Sequence, residues 1–167
     1  VRFHQDVLLS RYVHDFKMEQ RPRFSAVPDP APGLEYLYWT EAYNKADRSP
    51  AELLAFLREQ NAPFLLWGDM TIFYGLPGQH SPVPSLWWHE GLTISPNGTE
   101  PRDRWEEKFR RNLEVSPPQY LIFEHAGRST YMGLELDDFP LVAIWLKVRM
   151  QAPVVMGNYT IVPLEAP

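Results

Sequence analysis

Asp69, Tyr74, His80, Trp87, Trp88, His89 and Glu90 fall in one short stretch, FLLWGDMTIFYGLPGQHSPVPSLWWHEGL, residues 64–92. The Asp69 and Glu90 carboxylates could pair for general acid–base chemistry. The rings offer flat apolar faces, and His80, His89, Asp69 and Glu90 offer hydrogen bonds. That mixture suits a sugar ring, apolar on its faces and hydroxylated at its edge, so these seven residues form the candidate substrate-binding set. A metal is not expected there, because the histidines and acids lack helical ligand spacing and the chain has no cysteine. No catalytic residue is assigned. A second acidic group, Glu135, Asp137 and Asp138, reads as the start of a helix, with Asp138 as its N-cap and the others near the positive end of its dipole.

From Met70 through His89 there is no formal charge with histidine neutral, yet Gly75, Pro77, Gly78, Pro82 and Pro84 exclude a continuous membrane-spanning helix. The stretch must fold into a surface or crevice. If residues 87 and 88 are extended, their side chains point to opposite sides. One of Trp87 and Trp88 should then be buried and the other exposed.

The elements that position this stretch are legible around it. Ser49-Pro50-Ala51-Glu52 combines a capping box with proline at the first helical position and launches AELLAFLREQ. Phe64 to Trp67 and Tyr120 to Phe123 are short apolar runs, each preceded by proline, that read as buried strands. A helix over about 101–115, with Trp105, Phe109 and Leu113 on one stripe, links them as a crossover between parallel strands. Its charged residues, Arg102, Arg104, Lys108, Arg110 and Arg111, read as a solvated face supported by Glu106–Arg110 and Glu107–Arg111 pairs. FPLVAIWLKVRMQ reads as a helix facing the sheet through Leu141, Val142, Ile144, Trp145 and Val148. VVM, Gly157-Asn158 and YTIV form a terminal hairpin. The expected fold is α/β, a small Rossmann-like sandwich with a mainly parallel sheet, a C-terminal antiparallel hairpin and flanking helices. Residues 1–20 read as an amphipathic helix and 21–33 as a proline-rich connection, leaving 34–167 as a single α/β domain.

Composition bounds the function. At 167 residues the chain suits one core, with 44% hydrophobic and 22% charged residues, and its 17 prolines call for ordered connections. A net charge of −5 argues against a nucleic-acid partner, which needs a basic face. No GxGxxG follows a strand, and no Gly-Lys-Ser/Thr, G-x-S-x-G or H-E-x-x-H occurs, so no nucleotide or other cofactor is expected. Two sequons, Asn97-Gly-Thr and Asn158-Tyr-Thr, are present. Beginning at Val1 without a signal-peptide core or a membrane span, the chain reads as a piece of a longer parent.

The order of AELLAFLREQ, FLLWGD, IFYGLPGQHSPVP, a helix, PPQYLIF, FPLVAIWLKVRM and GNYTIV, over about residues 50–163, resembles a known arrangement. It is similar to the C-terminal extracytoplasmic domain of C-type superfamily membrane glycosyltransferases, the dolichyl-phosphate-mannose-protein mannosyltransferase and aminoarabinose transferase-like group. The resemblance implies an extracytoplasmic domain, periplasmic or at the cell surface, of a polytopic enzyme that uses a polyprenyl-phosphate-linked sugar. Its partners would be the transmembrane portion of the same polypeptide, a sugar or glycolipid, and the membrane surface. The family's catalytic acid lies among the membrane helices, so none is carried over to this chain. Two alternatives stay open: a self-standing carbohydrate-binding module, and a soluble glycoside-processing enzyme using Asp69 or Glu90.

Overall fold

The computed structural model describes residues 49–68, 70–85, 88–124, 130–131 and 133–167. The N-terminal helix and connection expected over residues 1–33, the boundary at 34, and Asp69 and Trp87 lie outside the described residues. The chain divides into two compact units, 1–51 and 52–167, and the second carries the fold described here.

Helix α1 (Ser49–Gln60) starts at the predicted cap. Strand β1 (Phe64–Trp67), a short helix α2 (Ile72–Gly75), helix α3 (Glu100–Val115) and strand β2 (Tyr120–Phe123) follow. A small hairpin, β3 (Thr130–Tyr131) and β4 (Leu134–Glu135), leads through a 3-10 turn at Leu136–Asp138 into helix α4 (Pro140–Lys147). Strands β5 (Val154–Met156) and β6 (Tyr159–Pro163) close the chain. The central sheet has the order β1-β2-β6-β5. β1 and β2 are parallel in the register Leu65↔Leu121 and Trp67↔Phe123, joined through α3 as expected.

The other two pairings, β2 with β6 and β5 with β6, are antiparallel. The expectation of a mainly parallel, Rossmann-like sandwich is therefore corrected: the fold is mixed α/β, and its four-stranded sheet is mostly antiparallel. The physical reason lies in the terminal hairpin. A Gly157-Asn158 turn returns β6 antiparallel to β5, and β6 has buried residues on both faces, Tyr159 and Ile161 on one and Val162 on the other. It therefore takes the interior place beside β2 and leaves β5 at the edge.

Side-chain alternation sorts the core into two layers. Leu65, Trp67, Leu121, Phe123 and Val162 form one cluster with Phe109 and Leu113 of α3 and Val142, Trp145 and Leu146 of α4. On the other face Phe64 stacks on Tyr74 at 4.6 Å between ring centroids, Phe73 meets Tyr159 edge-on at 5.9 Å, and Phe56 of α1 meets Tyr120 at 5.1 Å. Each fully buried Leu or Phe contributes roughly 1.5–3 kcal/mol relative to exposure.

Three expectations about helix faces change. On α4 only Val142 and Trp145 of the predicted apolar face are buried; Leu141, Ile144 and Val148 are exposed, and Ala143 and Leu146 pack inward instead. Asp138 does not cap α4, because its Oδ2 accepts the Glu135 N–H within the 3-10 turn. Glu106 of α3 takes that role: its buried Oε1 accepts the Leu141 and Val142 N–H groups at 2.6 and 3.3 Å. Glu106 is thus not a surface partner of Arg110, which instead pairs with Glu107 at 2.9 Å and with Glu114. Those contacts hold the Glu107 carboxyl below the usual carboxylate range and raise the Arg110 guanidinium. The Glu107–Arg111 pair is present at 3.8 Å.

Arg102 also leaves the predicted solvated face. It is 1% exposed, donates to the Ser95 and Asp138 carbonyls at 3.3 and 3.0 Å, and lies 3.9 Å over the Phe139 ring. Burial lowers its pKa, while Glu90, Glu106 and Asp138 act to keep it charged. Among the described residues no helix is long and apolar enough to cross a membrane.

Candidate functional site

The aromatic stretch leaves β1 over an unusually close crossing. A Cβ placed on Gly68 would sit 2.0 Å from Glu124 Oε2 and 2.6 Å from Glu124 Cβ, so only glycine lets that buried carboxylate lie across the strand end. Glu124 Oε2 then accepts the Met70 N–H at 3.3 Å, turning the chain into α2.

Tyr74 on α2 reaches back to β1. The Pro63 and Trp67 carbonyls bond to the β2 side, accepting from the Gln119 and Glu124 N–H groups. By strand alternation the Leu66 backbone therefore faces the outer edge. The Leu66 N–H donates to the Tyr74 hydroxyl at 2.7 Å. Burial pushes the Tyr74 phenol up to about 12, opposed by its hydrogen bonds with Leu66 and Ser81. Ser81 Oγ in turn accepts the Val83 N–H at 3.2 Å.

Trp88 is the ring that turns inward. It is 3% exposed and lies 4.2 Å from Trp67 between centroids, with edge contacts to Trp105, Phe109 and Phe139. The inward half of the expectation for the tryptophan pair is met; Trp87 lies outside the described residues. His89 and Glu90 are exposed in a turn where the His89 carbonyl accepts from Thr93 and Ile94, and Glu90 Oε1 accepts the Asn97 N–H at 3.2 Å. The five described residues of the seven thus do not form one cluster. Tyr74 and His80 come near each other through Ser81, Trp88 joins the core, and His89 and Glu90 sit on a separate turn.

His80 lines a groove of about 300 Å³ beside the start of β1. Pro63, Phe64, Pro82 and Val115 give it apolar walls, while His80, Ser81, Asn112 and Ser116 supply polar groups. Its volume lies at the lower end of the ~300–1,000 Å³ range of small-molecule sites. The Asn112 side chain fastens one wall, donating from Nδ2 to the Pro82 carbonyl at 2.8 Å. The other wall is the C-terminal end of α3, whose last turn has no basic residue. Partial negative charge from the helix carbonyls therefore favours ligands that donate hydrogen bonds. Apolar walls interspersed with hydrogen-bonding groups can hold a ring with hydroxyls at its edge. Among the described residues no group of three or more His, Asp or Glu side chains could hold a metal ion.

Sequence reasoning found His80 and missed Asn112, Ser81, Val115 and Ser116. The wall is made by a contact between residues 30 positions apart, Pro82 and Asn112, for which no local pattern exists. Comparison with family models, with curated proteins and with solved structures found no match for this chain in any of the three.

Proposed function

We propose that this chain is an accessory domain of a polytopic membrane glycosyltransferase that uses a polyprenyl-phosphate-linked sugar donor outside the cytoplasm. The domain holds the sugar portion of an acceptor or glycolipid in the His80 groove, close to a catalytic centre carried by the transmembrane portion of the same polypeptide. The observation that carries this reading is the groove, with apolar walls at Phe64, Pro82 and Val115 and polar groups at His80, Ser81 and Asn112. The exposed apolar residues Leu141 and Ile144 on α4, with Val148 just after it, support it as a surface for the rest of the parent.

The test is a heteronuclear NMR titration of the whole 167-residue chain with methyl glycosides and with a short-chain polyprenyl-phosphate sugar. The expected shifts gather at residues 80–82 and 112–116, and His80→Ala with Val115→Ser weakens them without changing the melt. Absence of any shift with millimolar sugar overturns the reading. Sugar turnover by the chain that disappears in Asp69→Asn or Glu90→Gln replaces it with the glycoside-processing alternative. If the chain binds but its parent reading frame encodes no membrane segments, the self-standing carbohydrate-binding module takes its place.

A further inference from the structure

We propose that Asn97 is a site of spontaneous deamidation in the folded protein. Of the asparagines in the sequence, Asn44, Asn61, Asn97, Asn112 and Asn158, only Asn97 is followed by glycine. Asn97 and Gly98 are both exposed, in the turn that enters α3. The Gly98 N–H donates to Asn97 Oδ1 at 2.9 Å, which lays the side-chain carboxamide against the next backbone nitrogen. Gly98 has φ +74, and no atom lies within 4 Å of the place its Cβ would occupy, so no side chain of its own and no packed neighbour on that side crowds the turn.

The chemistry needs only water. The Gly98 backbone nitrogen attacks Cγ of Asn97, the new N–Cγ bond closes a five-membered ring, and the Cγ–NH₂ bond breaks. The proton lost by the Gly98 nitrogen leaves with the amide group as ammonia. Water then adds to one of the two imide carbonyls and opens the ring, giving aspartate or isoaspartate. The net change is addition of one water and release of one ammonia, with no oxidation or reduction.

Of the other described asparagines, Asn61 is followed by Ala62 rather than glycine, and two are held differently. Asn112 lies in α3 with its carboxamide donating to Pro82, and Asn158 precedes the buried Tyr159. The product has a local consequence. A carboxylate at position 97 lies just before the N-cap Thr99, near the positive end of α3, where it is favoured. It also faces Glu90, whose Oε1 accepts the Asn97 backbone N–H, and the two like charges repel. Isoaspartate additionally lengthens the backbone by a methylene and strains the turn closed by the Thr99 hydroxyl on the Pro96 carbonyl. Either product erases the Asn97-Gly98-Thr99 sequon, because glycosylation and deamidation use the same carboxamide.

The experiment incubates the whole chain at mildly alkaline pH and physiological temperature, folded and in urea. Peptide mapping by mass spectrometry reads the exchange of NH for O, and isoaspartyl methyltransferase labelling reads isoaspartate. Asn97 is expected to convert in the folded chain at least as fast as in urea, with Asn112 and Asn158 unchanged. Asn97→Gln, which would need a six-membered ring, and Gly98→Ala should each slow conversion by about tenfold or more, the effect of a barrier raised by roughly 1.4 kcal/mol. An intact Asn97 in the folded chain while the urea sample converts would falsify the proposal. So would equal conversion at Asn158.

Discussion

Strands β1 and β5 both lie at an edge of the central sheet, yet no side chain of β1 is more than 1% exposed, whereas Val154 and Val155 of β5 are 57% and 63% exposed. The aromatic stretch covers β1 twice: Tyr74 takes the Leu66 N–H at the edge, and Trp88 packs on Trp67 on the face toward α3 and α4. The β5 edge has no such cover among the described residues and is guarded by its length of three residues and by Pro153 before it, both common protections against edge pairing. The difference gives the uncharged aromatic stretch a structural role. It closes one edge of the sheet, and the groove forms where that closure meets the end of α3.

Breaking the closure should have the largest effect. Trp88→Ala removes a ring shared by Trp67, Trp105, Phe109 and Phe139 and should cost about 3–5 kcal/mol, measured by urea unfolding. The same substitution should broaden NMR signals around the groove, because its loop wall loses its anchor.

Tyr74→Phe is a smaller break. It strands the Leu66 N–H at the edge and should cost about 1–3 kcal/mol near neutral pH. Its pH dependence gives the clearer signature. The unfolded chain releases the phenol proton near the ordinary value of about 10, and the folded chain keeps it until about 12. In that window the unfolded state binds fewer protons, so wild-type stability falls as pH rises, by about 2–3 kcal/mol from this group. Below pH ~10 both states hold the proton and the group adds no pH dependence. The gap between wild type and Tyr74→Phe should therefore close above pH ~10, as urea midpoints at increasing pH will show. A gap that stays constant would mean that the phenol is not held by burial.

At the bare edge the effect should be smallest. Val155→Lys adds a charged guard and should change stability by no more than about 0.5 kcal/mol. It should also lower any self-association seen by analytical ultracentrifugation at high concentration.

How far the sequence carried depended on whether a feature was local. The parallel β1–β2 pair was legible because two apolar runs flank a helix with Trp105, Phe109 and Leu113 on one stripe, and the last hairpin because Gly157-Asn158 specifies its turn. The place of β6 beside β2 was not, since it depends on which hairpin strand has two faces to bury. The site divides in the same way. His80 could be picked from an aromatic, proline-rich loop, but the burial of Trp88 and the wall made by Asn112 depend on where that loop meets α3. Glu106 shows the limit most clearly: its spacing to Arg110 fits a surface ion pair as well as any, and nothing local announces a cap for another helix.

That cap also bears on the order in which the chain folds. Helix α4 has eight residues, fewer than the ~12–15 at which an isolated helix becomes even marginal in water. The acceptor for its first N–H groups lies on a side chain 35 positions upstream. It therefore has little tendency to form before α3 is docked. Once α3 is in place, Glu106 supplies the N-terminal cap that the sequence of α4 lacks, beside the contacts of Phe139 with Trp88 and Trp105. In kinetic terms α3 is a template and α4 a late follower, so substitutions at Glu106 should chiefly accelerate unfolding and leave the refolding rate nearly unchanged.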